Sequence, residues 1–415
     1  MKKILSLALF ALSTSTVLAG GYRISMQGNK QLAMGHTGVA VVNSAEVLFF
    51  NPAGMSFLED RFNASVGGSY LLSHTKFQNV TNNWQAETEN TGTPFYAYLS
   101  YRMTDWLSAG LAVYSPYGST VEWDKDWQGS HLVNKISLQA IYVQPSIAIK
   151  VNDYFSFSGG AIFATGGVEF NRNLSRTMTD EQGNRSNVTL DESGVTAWGW
   201  TAGFMFNLTE DIRLGMNYRS EMTMEARGGE ARFANMPAFA GGDRTTTFDA
   251  DLPLPAEFAV GISYQATDKL LLAFDYNRAK WGAYEALDVY FGDGAPAPES
   301  LNARNYKDAS IYRLGLQYEA NDKFTFRAGW YYDESPVQNG YFAPETPRND
   351  SQGYTAGLTY QITPKLGVDL SFLYIQFKEF NGSYDHYIED GNSVSLGGTY
   401  KNSAFSPGVG LSYSF

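Results

Sequence analysis

The sequence predicts an all-β protein: a 14-stranded antiparallel transmembrane β-barrel with an N-terminal plug, or hatch, inside its lumen. Three observations predict it. Alternating apolar runs of strand length recur along the chain, short polar turns join them in pairs, and an export signal precedes them all.

The export signal fixes the compartment. Met1-Lys2-Lys3 leads into an apolar run from Ile4 to Leu12, and Val17-Leu18-Ala19 supplies small residues at the −3 and −1 positions. A basic start, a short apolar core and a small-residue cleavage site make a secretory signal peptide over 1–19. The run is too short to cross about 30 Å of hydrocarbon as a helix. The destination expected is the bacterial outer membrane.

Composition agrees. The 415 residues include no cysteine, so neither a disulfide framework nor a thiolate metal site is available. No later stretch offers the roughly 18 consecutive apolar residues of a membrane helix. Yet Tyr and Phe number 27 each, and only 17% of residues are charged, below the usual quarter or so. A barrel with a greasy, aromatic-girdled exterior and a polar lumen averages to this bias, so the negative mean hydropathy does not argue against a membrane. A net charge of −12 argues against nucleic acid as a partner and fits acidic outer loops.

The turns count the strands. They are Thr104-Asp105, Asn152-Asp153, Thr209-Glu210-Asp211, Thr267-Asp268, Asn321-Asp322 and Thr363-Pro364, each followed within two residues by an alternating run. After Asp211, Ile212, Leu214, Met216 and Tyr218 share one face while Arg213, Gly215, Asn217 and Arg219 share the other. Successive strand side chains point to opposite faces, so period two over this length means strand. Six turns join twelve strands. One strand at about 62–76 and one at about 397–415 bring the total to fourteen, an even number as in bacterial single-chain barrels. The longer connections, 77–93, 119–136, 171–195, 229–253 and 337–351, fall between the short turns and are expected outside the cell. The last strand alternates Val409, Leu411, Tyr413 and Phe415; its terminal aromatic resembles the signal read by the barrel assembly machinery. The barrel proper is expected over 62–415, as a monomer surrounded by outer-membrane lipid and lipopolysaccharide.

Residues 20–61 precede the first strand, carry no period-two signal and end in Phe49-Phe50-Asn51-Pro52-Ala53-Gly54. A fourteen-stranded barrel is too wide for its own side chains to fill, so this segment is expected inside it.

In these features the chain resembles the FadL family of long-chain fatty acid and hydrocarbon transporters. The resemblance spans almost the whole chain beyond the signal peptide. It runs from Gly21-Tyr22-Arg23-Ile24-Ser25 through Asn51-Pro52-Ala53-Gly54 to Trp198-Gly199-Trp200, Asn217-Tyr218-Arg219-Ser220, Leu252-Pro253-Leu254-Pro255-Ala256 and Asp333-Glu334-Ser335-Pro336. It implies that hydrophobic ligand enters from outside, binds within, and leaves sideways through a gap in the third strand. Asn51, Pro52, Ala53 and Gly54 would form the hatch motif, with gating and plain anchoring both open.

The third strand carries a physical sign of such a gap. Its apolar face, Leu107, Ala109, Leu111 and Val113, meets Ser115-Pro116-Tyr117-Gly118. Proline cannot donate to the ladder and glycine marks bends and bulges. Pro116, Tyr117 and Gly118 are therefore the expected lateral opening; a simple strand end is the alternative. The resemblance places the kink at the Tyr-Gly pair, and Pro116 is an added breaker.

Phe233, Met236 and Phe239, in an apolar outer stretch, are candidates for a first ligand site, or else for a loop packed on its neighbours. Arg213, Arg219, Arg313 and Arg327 fall on the polar strand faces; they are candidates to meet a carboxylated cargo or to brace the wall. The family's fatty-acid pattern has a Lys where this chain has Asp288, which weakens carboxylate capture there and leaves neutral cargo equally open. No cofactor is implied. Glu122, Asp124 and Asp126 offer oxygen ligands for a divalent ion, but a solvated acidic loop explains them, and no metal site is expected. His36, His74, His131 and His386 form no Ser-His-acid grouping by spacing, so no enzyme is expected. A selective or general aqueous porin is the alternative function.

Overall fold

A computed structural model describes residues 21–415; the signal peptide lies outside the described residues. The barrel consists of β1 (Phe62–Ser69 and Leu71–Asn79), β2 (Gln85–Gly92 and Phe95–Arg102), β3 (Leu107–Glu122), β4 (Lys135–Asn152), β5 (Phe155–Asn173), β6 (Asn187–Asn207), and β7 (Ile212–Arg219 and Met222–Ala234). It continues with β8 (Arg244–Leu254 and Glu257–Thr267), β9 (Leu270–Ala279), β10 (Ala309–Asn321), β11 (Phe324–Asp333), β12 (Ser351–Thr363), β13 (Leu366–Phe377 and Phe380–Glu389) and β14 (Asn392–Ser414). Each strand pairs antiparallel with its neighbours, and β1 closes on β14 from Asn63↔Ser414 to Ser69↔Gly408.

The six turns share one device. The Oγ of Thr104, Thr209, Thr267 and Thr363 accepts the amide hydrogen three residues on, and Asn152 and Asn321 do the same two residues on. These are the side-chain-capped tight turns that Thr and Asn favour. At the closing seam Phe62 and Phe415 exchange both backbone hydrogen bonds, at 2.9 and 3.0 Å.

Outside, Leu111, Phe274, Leu314 and Leu411 are exposed to the bilayer. Their neighbours along each strand point in, and near the turns these are polar and buried, such as Asp275, Arg313, Gln317 and Asp369.

Away from the turns the strands run longer than expected. The stretch 77–93 is largely strand with a tip at 80–84; 171–195 is strand up to Asn173 and from Asn187; 229–253 is strand except 235–243; and the last strand starts at Asn392. These extensions keep period two with the pattern inverted. On β6, Val188 and Leu190 point into the barrel while Asn187 and Thr189 face water.

The N-terminal segment holds two single-turn helices, α1 (Asn29–Leu32) and α2 (Val47–Phe50), and a 3-10 turn at Pro52–Phe57. Almost every residue from Gly21 to Leu58 is buried, and its partners are inward-facing groups around the ring. Tyr96 on β2 meets Asn29 at 3.1 Å, Gln144 on β4 meets Leu48 at 2.8 Å, and Ser263 on β8 meets Ala40 at 2.9 Å. Asp275 on β9 accepts from Gly38 at 2.7 Å and Thr355 on β12 from Gly35 at 2.7 Å.

Glycines make room for this packing. A Cβ at Gly215 would lie 2.0 Å from the Val39 carbonyl oxygen, at Gly315 2.3 Å from that of Met34, and at Gly329 2.1 Å from the Gly35 nitrogen. Gly315 and Gly329 are direct cross-strand partners, so the wall there is bare backbone on both strands.

Candidate functional site

An apolar cavity lies in the outer half of the barrel, bounded by β3 to β8, Tyr22 and two inward-folded loops. Counted out to its open mouth it holds about 1060 Å³ of non-atom space. Leu138, Phe170, Leu190, Met224, Phe248 and Tyr284 are among its lining residues. They are the inward members of the inverted strand extensions, so the cavity follows from alternation continuing beyond the bilayer.

Few polar groups reach it. Arg304 forms a buried ion pair with Glu345, and Arg172 donates to the Ser300 Oγ at 2.8 Å and the His131 carbonyl at 3.2 Å. Among the described residues Arg172 has no carboxylate partner. Burial, then the nearby Arg172 charge, pushes the His131 imidazole down to about 4, so it is neutral at physiological pH and adds no cation.

The floor of the cavity is Tyr22. Its ring packs edge-on against Trp281 at 4.9 Å and Tyr284 at 5.6 Å, with Tyr117 at 5.8 Å. Its carbonyl accepts from the Gly118 amide at 3.0 Å, and the Ile24 amide donates to Pro116 at 2.7 Å. Gln27 donates to the Ser115 carbonyl at 2.9 Å.

These bonds mark a break in the wall. β3 does not end at Pro116; it continues to Glu122. Its register with β4 jumps from Tyr114↔Tyr142 to Tyr117↔Ala140, so Ser115 and Pro116 bulge. Its ladder with β2 stops at Tyr96↔Tyr114, past which the Phe95 amide reaches only the Ser115 hydroxyl. Beyond that point the chain's own residues 22–24 take the place of β2 beside β3. Backbone groups unmet in hydrocarbon cost several kcal/mol each; the leading segment meets them from inside. Of the stretch Ser115-Pro116-Tyr117-Gly118, Ser115 and Pro116 form the bulge, while Ser115, Pro116 and Gly118 carry the bonds to the leading segment.

Asn51 ties the N-terminal segment together and to the wall. Its amide donates to Val39 at 3.0 Å and to Phe204 on β6 at 2.9 Å, while its Oδ1 accepts from Ala53 at 3.3 Å. Pro52 starts the 3-10 turn, where no amide hydrogen is required. Ser156 on β5 donates to the Ala53 carbonyl at 2.9 Å. Gly54 sits against Val47 and Val42.

The predicted cations point inward but not into the apolar cavity. Arg219 bonds Glu257 at 3.3 Å and stacks on Phe49 at 4.7 Å. Arg313 bonds Asn277 at 3.0 Å, Arg327 bonds Gln317 at 2.8 Å and Thr359 at 2.6 Å, and Arg213 bonds Asn207 at 3.2 Å. Arg219 and Arg313 line a second, more polar pocket beside Pro116 and Tyr117. Arg172 and Arg304 do reach the cavity; Arg172 was legible only as alternation within a stretch read as loop, and Arg304, in the irregular stretch before β10, carried no periodic signal.

The three outer aromatic and Met candidates do not form one outward site. Phe233 belongs to β7 and is buried 5.3 Å from Phe291, Met236 is buried too, and only Phe239 is exposed, at 86%. The strand extension turns Phe233 inward. Asp288 accepts from the Asn302 amide at 2.8 Å and is not among the cavity's lining residues.

Comparison with known proteins accords with this architecture. Outer membrane protein P1 of Haemophilus influenzae is 25% identical over 458 residues, covering 97% of this chain and 98% of that one. The long-chain fatty acid transport protein of Escherichia coli O6:H1 is 23% identical, covering 97% and 98%. A Pseudomonas aeruginosa FadL homologue superposes with a TM-score of 0.82 at 18% identity over 95% of this chain and all of that one. The toluene transporter TodX of P. putida gives 0.73 at 16% over 96% and 99%. The family profile described as "Outer membrane protein transport protein (OMPP1/FadL/TodX)" matches residues 10–415. A barrel whose wall break is met by its own leading segment is therefore a member of the outer-membrane transport family that includes FadL and TodX.

Proposed function

We propose that the protein carries small hydrophobic molecules (long-chain fatty acids, hydrocarbons or aromatic compounds) across the outer membrane by diffusion, with exit sideways into the bilayer. One observation carries this reading: a single residue, Tyr22, both lines the apolar cavity and bonds the strand break. Cargo seated in the cavity therefore lies one side chain from the side of the barrel. On this reading residues 20–61 act as a hatch, and a ligand displacing Tyr22 frees the edge of β3. The hatch, the lateral route, a monomeric state in lipid and lipopolysaccharide, and handling by the barrel assembly machinery all belong to this proposal. The names of the relatives, a fatty acid carrier and a toluene transporter, support the cargo class. Arg172 beside an apolar cavity suits an amphiphile with an anionic head, while the cavity walls suit neutral hydrocarbon.

The test is Gly118→Val. A β-branched side chain crowds the break, so uptake of radiolabelled oleate and of toluene should fall at least about tenfold, a barrier change of about 1.4 kcal/mol, with folded barrel unchanged on a heat-modifiability gel. Undiminished uptake in a folded variant refutes sideways exit. Steady ionic conductance of the wild-type protein in a planar bilayer would favour the aqueous porin instead.

A further inference from the structure

On the outer wall, the inverted extensions of β4, β5 and β6 present a second cleft, unconnected with the apolar cavity behind them. It encloses about 1140 Å³ to its mouth. Lys135, Asn171 and Thr189 lie side by side across three strands, and loop residues Asn134, Asn184 and Asn235 close it above.

Its chemistry is an amide array. Asn134 donates to Asn171 at 2.9 Å and to Asn173 at 3.1 Å, and Asn171 donates to Asn187 at 3.2 Å and to Thr189 at 2.8 Å. Two atoms are left over: the Asn134 Oδ1, an acceptor, and the Asn173 Nδ2, a donor, have no partner among the described residues. Both side chains are more than nine-tenths buried, with exposures of 6% and 3%. An unmet acceptor and an unmet donor on two mutually bonded asparagines match a hydroxyl, which is both donor and acceptor. Charge does not favour an anion: Lys125, Lys135 and Arg185 are balanced by Glu122, Asp126 and Glu169 around the cleft, and Lys135 is bonded to Glu169 at 2.9 Å.

Height identifies the source of hydroxyls. Trp198, outward-facing on β6 and 70% exposed, marks the aromatic girdle. Asn187 lies eleven positions further out along the same strand. At about 3.3 Å per residue and a tilt near 40°, that is roughly 28 Å above the girdle, beyond the lipid headgroups and level with the saccharide of an outer-leaflet glycolipid.

We propose that this cleft binds the neutral, uncharged part of the outer-leaflet glycolipid's sugar chain through its asparagine amides.

The test uses full-length protein in detergent micelles and oligosaccharide released by mild acid from the expressing strain's lipopolysaccharide, then dephosphorylated. Calorimetric titration should show saturable binding below about 10 mM. Asn173→Leu should weaken it about tenfold, and Asn184→Ala, on an exposed loop where folding is not at stake, about threefold. Intact lipopolysaccharide in mixed micelles should compete. Absence of binding, equal binding by both variants and wild type, binding that disappears on dephosphorylation, or failure of intact lipopolysaccharide to compete would each overturn the assignment. The last two outcomes would indicate, respectively, an anion site and a site for free saccharide.

Discussion

Two segments occupy the bore, and they are held differently. The N-terminal segment meets the wall through a ring of short polar contacts to strands on every side, over a floor of glycines that no side chain obstructs. The outer loop 334–350 folds in from the opposite end and buries Phe342 to Arg348. It is held by the Glu345–Arg304 pair, by Trp123 donating to Pro344 at 3.1 Å, and by Asn402 donating to Pro347. Arg348 donates to the Gly21 carbonyl, yet its Nε and Nη2 find no partner among the described residues, and burial pushes it down to about 9. Both inserts leave buried polar atoms unpaired among the described residues, Arg23 Nε and His36 Nδ1 in the N-terminal segment as well as the two Arg348 nitrogens in the loop, so the contrast lies in the spread of the wall contacts. The difference teaches that the segment below the apolar cavity is anchored all round the ring, whereas the loop above it hangs on a few contacts.

Three experiments break or sharpen that contrast. The largest effect is expected from Gly329→Val. Its Cβ alone would sit 2.1 Å from the Gly35 backbone, so the segment loses its seat and steady conductance should appear in planar bilayers. A closed, silent variant would show that the segment is not fixed by the bare wall.

Next is Glu345→Gln. It leaves the buried Arg304 charge without its anion, a loss on the order of 3–5 kcal/mol for such pairs. Proteolysis within 334–350 should accelerate at least tenfold while the N-terminal segment stays resistant. Equal acceleration at both sites would mean that the two inserts form one unit.

The smallest effect concerns Glu46, whose oxygens accept the Lys30 and Gln31 amides at 3.3 and 3.2 Å. Burial first, and then the Asp369 charge, raises its carboxyl from the usual carboxylate value to about 7. Between about pH 4.5 and 7 the folded form holds more proton than the unfolded one, so stability falls as pH rises through that window. Amide protection over residues 27–50, corrected for the intrinsic rise of exchange with pH, should be greater at pH 5 than at pH 8, and Glu46→Gln should flatten the difference. A profile unchanged by that substitution would assign the pH effect to another group.

Much of the fold was legible because the bilayer enforces it. Every lipid-facing position must be apolar, so Leu214, Phe274 and Leu366 announce their strands, and Thr and Asn announce the turns. Strand ends were not legible, because above the membrane water lies outside and grease inside. The alternation of Asn187-Val188-Thr189-Leu190 persists there with its meaning reversed. The break at Pro116 was readable from backbone chemistry alone. The cavity was not, since it gathers single residues from six strands and two loops. Nor was the glycine seat at Gly215, Gly315 and Gly329, because a residue without a side chain leaves no periodicity.

One detail of that seat reaches the edge where the cylinder joins itself. Gly67 on β1 and Gly408 and Gly410 on β14 each face the Asn29 side chain, where a Cβ would come within 2.8, 2.4 and 2.9 Å of it. The first and last staves thus meet around one asparagine of the leading segment. The seam and the seat of the leading segment therefore share one side chain, and a larger residue at any of these three glycines should disturb both together.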